Sequence, residues 1–376
     1  MAIFLLNGCK YFQKDDNEMN NKQKTAKLIL EDGSEFNGIP FGYSKNTNGE
    51  VVFNTGMVGY PETMTDPSYR GQILVMTFPL IGNYGVPDYE RENGLLKYFE
   101  SEKIHCRALI ISNYSDEYSH WNGKRSLDDW MKEQKIPGIY GIDTRMLTRK
   151  LRESGTMLGK IVIDEKEKID FEDVNKLDLV GEVCVKEPVE YTRNKKKIIL
   201  VDCGTKNNII QAFLRRNITV IRVPYDYDFS KEKANGILIS NGPGDPKMCK
   251  ATIENTRKVM KSGTPTLGVC LGSQIMALAA GADTYKLKYG HRGHNQPCNE
   301  TGSKRCYITS QNHGYAVNSE TMPEDWREWF INDNDGTNEG IIHIAKPFFA
   351  TQFHPEASPG PDDTEFIFDM FLRALK

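Results

Sequence analysis

Gly268-Val269-Cys270-Leu271-Gly272 sets one cysteine between two glycines. An apolar run, Thr266-Leu267-Gly268-Val269, precedes it, and a helical pattern from Leu271 to Ala280 follows. A strand, a sharp turn and a helix in that order form a nucleophile elbow. Such a turn lifts the sulfur clear of the sheet and beside the first N–H groups of the new helix, where positive potential favours thiolate. A lone buried cysteine more often packs as a small hydrophobe. The glycines shift that balance, because they permit the strained turn and a close backbone approach to a substrate. The other seven cysteines lack this setting and read as structural.

Phe353-His354-Pro355-Glu356 supplies a base and a carboxylate. Pro355 forces His354 into an extended conformation, and residues two apart in extended chain project to one side. Glu356 then reaches the imidazole, or both reach a shared neighbour. A thiol with an imidazole and a carboxylate performs acyl transfer. The run Phe348 to Phe353 reads as a strand delivering the pair to a sheet edge. Asn241-Gly242-Pro243-Gly244-Asp245-Pro246 lacks the phosphate-loop pattern. Alone it is a turn; beside a nucleophile, its N–H groups could hold an oxyanion. Gln311-Asn312-His313-Gly314-Tyr315 has the polar side chains to read a small zwitterion, and by itself reads as an ordinary loop.

These residues need a scaffold. From Ile198 the pattern alternates: strands at 198–201, 219–223, 236–240 and 266–269, helices at 207–216, 251–261 and 271–280. Continuous apolar strands between helices predict a mainly parallel, doubly wound α/β sheet, with functional loops at the strands' C-terminal ends. Residues 25–165 read as a mixed, strand-rich α/β domain, with strands near Lys27–Leu30, Val51–Phe53 and Gln72–Met76. Asp143 caps a helix over 144–153 that stops at Gly155. Two charge runs bracket residues 166–196, taken as a linker, and 197–376 form the second domain. Residues 1–24, with a short apolar patch followed by polar sequence, read as a flexible extension rather than a signal peptide.

A chain of 376 residues suits two domains, each with its own core. It is 39% hydrophobic and 26% charged, with a net charge of −3, so no broad basic field argues for nucleic acid. No apolar run is long enough to span a membrane. The eight cysteines match neither zinc ligation nor a disulfide scaffold. Reduced thiols in a cytoplasmic protein, with no metal, are the expectation.

Taken together, the elbow and the His-Pro-Glu segment resemble the class I glutamine amidotransferases. Phe53-Asn54-Thr55-Gly56-Met57-Val58-Gly59-Tyr60-Pro61-Glu62, Thr65-Asp66-Pro67-Ser68-Tyr69 and Ile81-Gly82-Asn83-Tyr84-Gly85 further resemble the carbamoyl-phosphate synthase small chain. So do Gly290-His291-Arg292-Gly293-His294-Asn295-Gln296-Pro297 and His354-Pro355-Glu356-Ala357-Ser358-Pro359-Gly360-Pro361. The resemblance spans residues 25–376. It implies that Cys270 attacks the side-chain amide of L-glutamine, that His354 moves protons and that Glu356 orients His354. It implies an oxyanion hole from the Leu271 and Gly244 N–H groups, and substrate binding by Ser68, Gly242, Gly244, Leu271, Gln274, Asn312, Gly314 and Tyr315. Ammonia would pass through an enclosed tunnel to a large chain, which would hold ATP and Mg²⁺; this chain has no ATP motif and no cofactor of its own. Ser273 stands where many members carry His. Arginine and pyrimidine biosynthesis are both open as destinations. A stand-alone γ-glutamyl thiol hydrolase is the alternative reading, and the N-terminal half argues against it.

Overall fold

The computed structural model describes residues 25–375; the extension expected at 1–24 lies outside the described residues. The N-terminal half is a closed seven-stranded barrel, in the order Ala26–Leu30, Met157–Val162, Thr47–Asn54, Gln72–Met76, Ala108–Ile110, Pro137–Tyr140, Glu35–Gly42. Period-two alternation sorts its side chains into two buried sets. Leu28, Val51, Ile73, Val75 and Ile110 pack with Leu147 and Leu151 of the helix Thr144–Ser154. Val52, Leu74, Met76 and Leu109 pack instead with Tyr60, Phe99 and Trp130. Asp143 accepts from the Met146 N–H at 2.8 Å, and Gly155 ends the helix at φ 99°, as the sequence predicts.

The C-terminal half is built on a ten-stranded sheet. Its centre is parallel: Thr219–Pro224, Lys197–Asp202, Gly236–Ile239, Thr266–Val269 and Phe348–Thr351, in that order. Ile198 and Leu200 face one core, with Phe213 and Phe368 from helices Asn207–Arg215 and Phe366–Ala374. Ile199 and Val201 face the other, with Met260 and Ile275 from Lys250–Ser262 and Leu271–Ala280. Burial on both faces explains the unbroken apolar strands. Beyond Phe348–Thr351 the sheet continues antiparallel through Asn338–His343, Trp326–Asn332, Asp283–Glu300 and Cys306–Asn318.

Three local expectations change. Phe348–Thr351 sits inside the sheet, between Thr266–Val269 and Asn338–His343, and not at an edge. Its four apolar and β-branched residues are all buried, and it pairs with a strand on each side. Gln311–Tyr315 is not a loop. It lies within the strand Cys306–Asn318, whose pairing with Asp283–Glu300 carries register shifts that leave room for polar side chains. The stretch 166–196 is more than a spacer: Val189–Tyr191 forms the far edge strand of the sheet, antiparallel to Thr219–Pro224.

The two halves are hydrogen-bonded together. The Asn207 N–H donates to the Glu100 carbonyl at 2.8 Å, and the Thr156 N–H to the Lys288 carbonyl at 2.9 Å. No helix among the described residues is long and apolar enough to cross a membrane.

Candidate active site

Thr266–Val269 ends at Cys270, which takes φ 54° and ψ −106° before the helix starts at Leu271. That conformation is costly for a residue with a side chain, and it persists because the surroundings enforce it. A Cβ on Gly272 would lie 2.0 Å from the Ile239 carbonyl oxygen, and one on Gly268 would lie 2.6 Å from that of Gly272. Both glycines are therefore required for the helix to press this close to the sheet. The Gln352 amide donates to the Cys270 sulfur at 3.7 Å, and the sulfur lies 3.6 Å from the Asn312 carbonyl oxygen.

His354 follows the adjacent strand, three residues beyond Thr351. Its Nδ1 lies 2.6 Å from Glu356 Oε1. A carboxylate accepts, so Nδ1 carries the proton and Nε2 is left for chemistry. Nε2 is buried and has no hydrogen-bond partner among the described residues. Burial pulls the imidazole pKa down. The Glu356 carboxylate and the Cys270 sulfur outweigh it and push the pKa up to about 10. Burial likewise raises Glu356, but Lys206 and His354 outweigh it and hold the carboxyl down at about 2. The Lys206 ammonium is 3.0 Å from Glu356 Oε1, and both side chains are buried.

Sequence reasoning missed Lys206. It lies just past the C-terminal end of the parallel strand Lys197–Asp202, where site residues gather in such sheets, and that position was the available signal.

The substrate-binding candidates converge. Ser68, Gly242, Gly244, Leu271, Gln274, Asn312, Gly314 and Tyr315 line one cavity with Cys270. His354 lines a smaller neighbouring cavity, and Asn312 borders both. Ser68 comes from the barrel half and accepts from the Asn241 amide at 3.1 Å. Asp66, another residue missed in the sequence, joins the halves: it accepts from the Ser68 N–H at 2.9 Å and from the Asn312 amide at 2.8 Å. Gln274 donates to the Tyr315 carbonyl at 2.8 Å and to Gln352 at 3.0 Å, which ties the elbow helix to the strand opposite. Val174, Asn175 and Leu179, from the stretch read as a linker, complete the wall.

The N–H groups of Leu271 and Gly244 donate to no acceptor among the described residues. Gly244 has φ 84°, a conformation that favours glycine. Two unused donors on residues that line the same cavity as the sulfur are what a developing oxyanion needs.

Of the described residues, His291, His313 and Glu339 bring ligand-type atoms within 4.8 Å of one another. Their hydrogen bonds account for them without an ion. His291 lies between Asp335, at 2.8 Å, and Glu339, at 3.1 Å, while His313 Nδ1 donates to the Tyr315 carbonyl at 2.8 Å. The cluster braces the strand that carries Asn312, Gly314 and Tyr315.

Comparison with known proteins follows the same division. Residues 28–161 match the carbamoyl-phosphate synthase small chain, CPSase domain, and residues 199–374 match glutamine amidotransferase class-I. The chain is 54% identical over 357 residues to the multifunctional protein CAD of Squalus acanthias, covering 93% of this chain and 16% of that protein. It is 49% identical to the multifunctional protein ura1 of Schizosaccharomyces pombe, covering 95% of this chain and 18% of that one. It is also 49% identical to the human mitochondrial carbamoyl-phosphate synthase [ammonia], covering 94% of this chain and 24% of that protein. The chain thus spans less than a quarter of the length of these relatives. With both halves matched, in the order and at the positions where the barrel and the sheet lie, the chain belongs to the carbamoyl-phosphate synthase small-chain family and carries its class-I glutamine amidotransferase domain.

Proposed function

We propose that the chain hydrolyses L-glutamine to glutamate and ammonia and delivers the ammonia for carbamoyl phosphate synthesis. The Cys270 sulfur attacks the side-chain amide carbon, and any thiol proton passes to His354 Nε2. The Leu271 and Gly244 N–H groups hold the oxyanion; losing one such donor typically raises the barrier by about 3 kcal/mol. His354 then protonates the departing nitrogen, so the C–N bond breaks, ammonia leaves and a γ-glutamyl thioester remains. Water, giving its proton to His354, attacks the thioester; the C–S bond breaks and glutamate leaves. Glu356 keeps the imidazole in the tautomer that this sequence requires.

One observation carries this reading: the sulfur at the strained elbow acts on the His354 imidazole and helps to raise its pKa, and the Nδ1 of that imidazole is held 2.6 Å from Glu356. Ammonia released into water at neutral pH is protonated and loses its nucleophilicity, so it must be enclosed. The cavity beside His354, lined by Glu62, Lys206 and His294 among others, is where enclosure begins in this proposal. The receiver is a large chain, or the equivalent segment of a longer polypeptide, that uses bicarbonate and ATP with Mg²⁺. A cytoplasmic setting belongs to the same proposal, and cell fractionation tests it.

The test is Cys270→Ser, assayed with the large chain. Glutamine-dependent synthesis is expected to vanish while synthesis from added ammonia persists. Loss of both, or of neither, contradicts the proposal.

A further inference from the structure

Arg292 stands in the strand Asp283–Glu300, directly across from Asn312 on the neighbouring strand. It is only 4% exposed, yet its side chain donates a single hydrogen bond among the described residues, from Nη1 to the Tyr289 carbonyl at 2.7 Å. Its Nε is buried without a partner, and no carboxylate among the described residues lies within ion-pair distance. That is anomalous. Removing a cation from water costs several kcal/mol unless an anion compensates it. The other buried cation among the described residues obeys the rule, Lys206 pairing with Glu356 at 3.0 Å, and the half-buried Arg222 pairs with Asp202 at 2.8 Å.

The unpaired guanidinium borders the cavity that holds Cys270. Nη2 lies against Gly314, where an added Cβ would stand 3.2 Å from it. The one buried carboxylate in that wall, Glu50, is already engaged by Lys286 at 2.6 Å, Gln72 at 3.0 Å and Thr156 at 3.1 Å. A planar fork of free N–H donors matches a carboxylate in two-point contact better than it matches a single sulfur.

We propose that Arg292 receives the α-carboxylate of the substrate, so that this wall of the cavity selects an amide that also carries an anionic amino-acid end. The inference rests on the glutaminase reading and deepens it. Arginine serves here as a specificity residue: it holds the end of the substrate remote from the reacting carbon.

The experiment measures ammonia release by the full chain with its large chain, from glutamine and from 4-aminobutanamide, which is glutamine without its α-carboxylate. Arg292→Gln is expected to raise KM for glutamine about 100-fold, the effect of losing charge-assisted hydrogen bonds, with kcat nearly unchanged. The same variant should leave kcat/KM for 4-aminobutanamide as it was. Equal losses on both substrates, together with slower alkylation of Cys270 by neutral iodoacetamide, would assign the charge to the sulfur and overturn the proposal. Retained preference for glutamine would overturn it as well. If Arg292→Gln does not fold, Arg292→Lys carries the test: the lost fork should raise KM for glutamine about tenfold, and an unchanged KM overturns the proposal. A wild-type protein that releases no ammonia from glutamine refutes the glutaminase reading itself. An active wild type with an indifferent Arg292→Gln refutes only this inference.

Discussion

Lys206 Nζ sits 3.0 Å from Glu356 Oε1, and that same oxygen sits 2.6 Å from His354 Nδ1. One buried carboxylate oxygen therefore serves a permanent cation and an imidazole together. The lysine keeps Glu356 ionised in a place where burial alone would protonate it. Glu356 can then fix the His354 tautomer and stabilise the imidazolium that forms during proton transfer.

Replacing Glu356 with Gln keeps the shape and removes the charge. By analogy with other triads, kcat for glutamine hydrolysis is expected to fall by roughly 10³ to 10⁴. Steady-state ammonia release from folded protein checks this. A loss below about tenfold would mean that the carboxylate neither orients nor stabilises the imidazole.

The raised pKa of His354 has a thermodynamic sign. A group whose folded pKa lies above its unfolded value binds more protons in the native state. Its contribution is fully present below about 6.5, the ordinary histidine value, and is lost as pH rises through about 10. The stability gap between wild type and Glu356→Gln should therefore narrow between pH 7 and pH 10. Urea unfolding at several pH values reads the gap, and one that widens with pH contradicts the assigned pairing.

Glu62 makes the opposite kind of statement. Burial, reinforced by the nearby Glu100, raises its pKa to about 7, and its Oε2 has no partner among the described residues. A carboxyl raised in this way loses stability as pH climbs from about 4.5 to about 7. Glu62→Gln should be nearly neutral at pH 4.5 and stabilising by about 2 kcal/mol at pH 8. Thermal unfolding of both proteins at the two pH values decides it, and destabilisation at pH 8 would show that the ionised form is wanted.

Much of this site was legible in the sequence because its signals are local. The Gly-x-Cys-x-Gly spacing and the proline after His354 each dictate backbone shape within a few residues, and the structure puts both segments at adjacent strand ends. Lys206, Asp66 and Arg292 were not singled out. Each matters through a partner far along the chain, 150, 246 and 22 positions away for Glu356, Asn312 and Gly314. The strand through Gln311–Tyr315 was read as a loop because polar residues facing a cavity erase the alternation that marks a strand. Glycine pattern also carried more than turn chemistry: Gly272 is dictated by a carbonyl in another strand.

That last point gives a stability prediction. In Gly272→Ala the new methyl would meet the Ile239 oxygen at 2.0 Å, so the helix must retreat from the sheet. A cost above about 3 kcal/mol is expected, in the range of severe overpacking. Gly33→Ala is the control: φ is 85° with nothing within 4 Å of an added Cβ, so only about 1 kcal/mol of backbone strain applies. Denaturant midpoints compare the two, and equal costs would contradict the close packing at the elbow.

Cys270 alone among the described cysteines sits at an elbow from which it would attack a glutamine amide carbon. A chloroketone analogue of glutamine, incubated with the protein and mapped by peptide mass spectrometry, tests it directly. Cys306 is exposed and offers an unselective electrophile an easier target, whereas Cys270 is buried in the cavity. A single adduct is expected, on Cys270, that excess glutamine suppresses. Labelling of Cys306 with Cys270 untouched, or labelling that glutamine does not suppress, would contradict it.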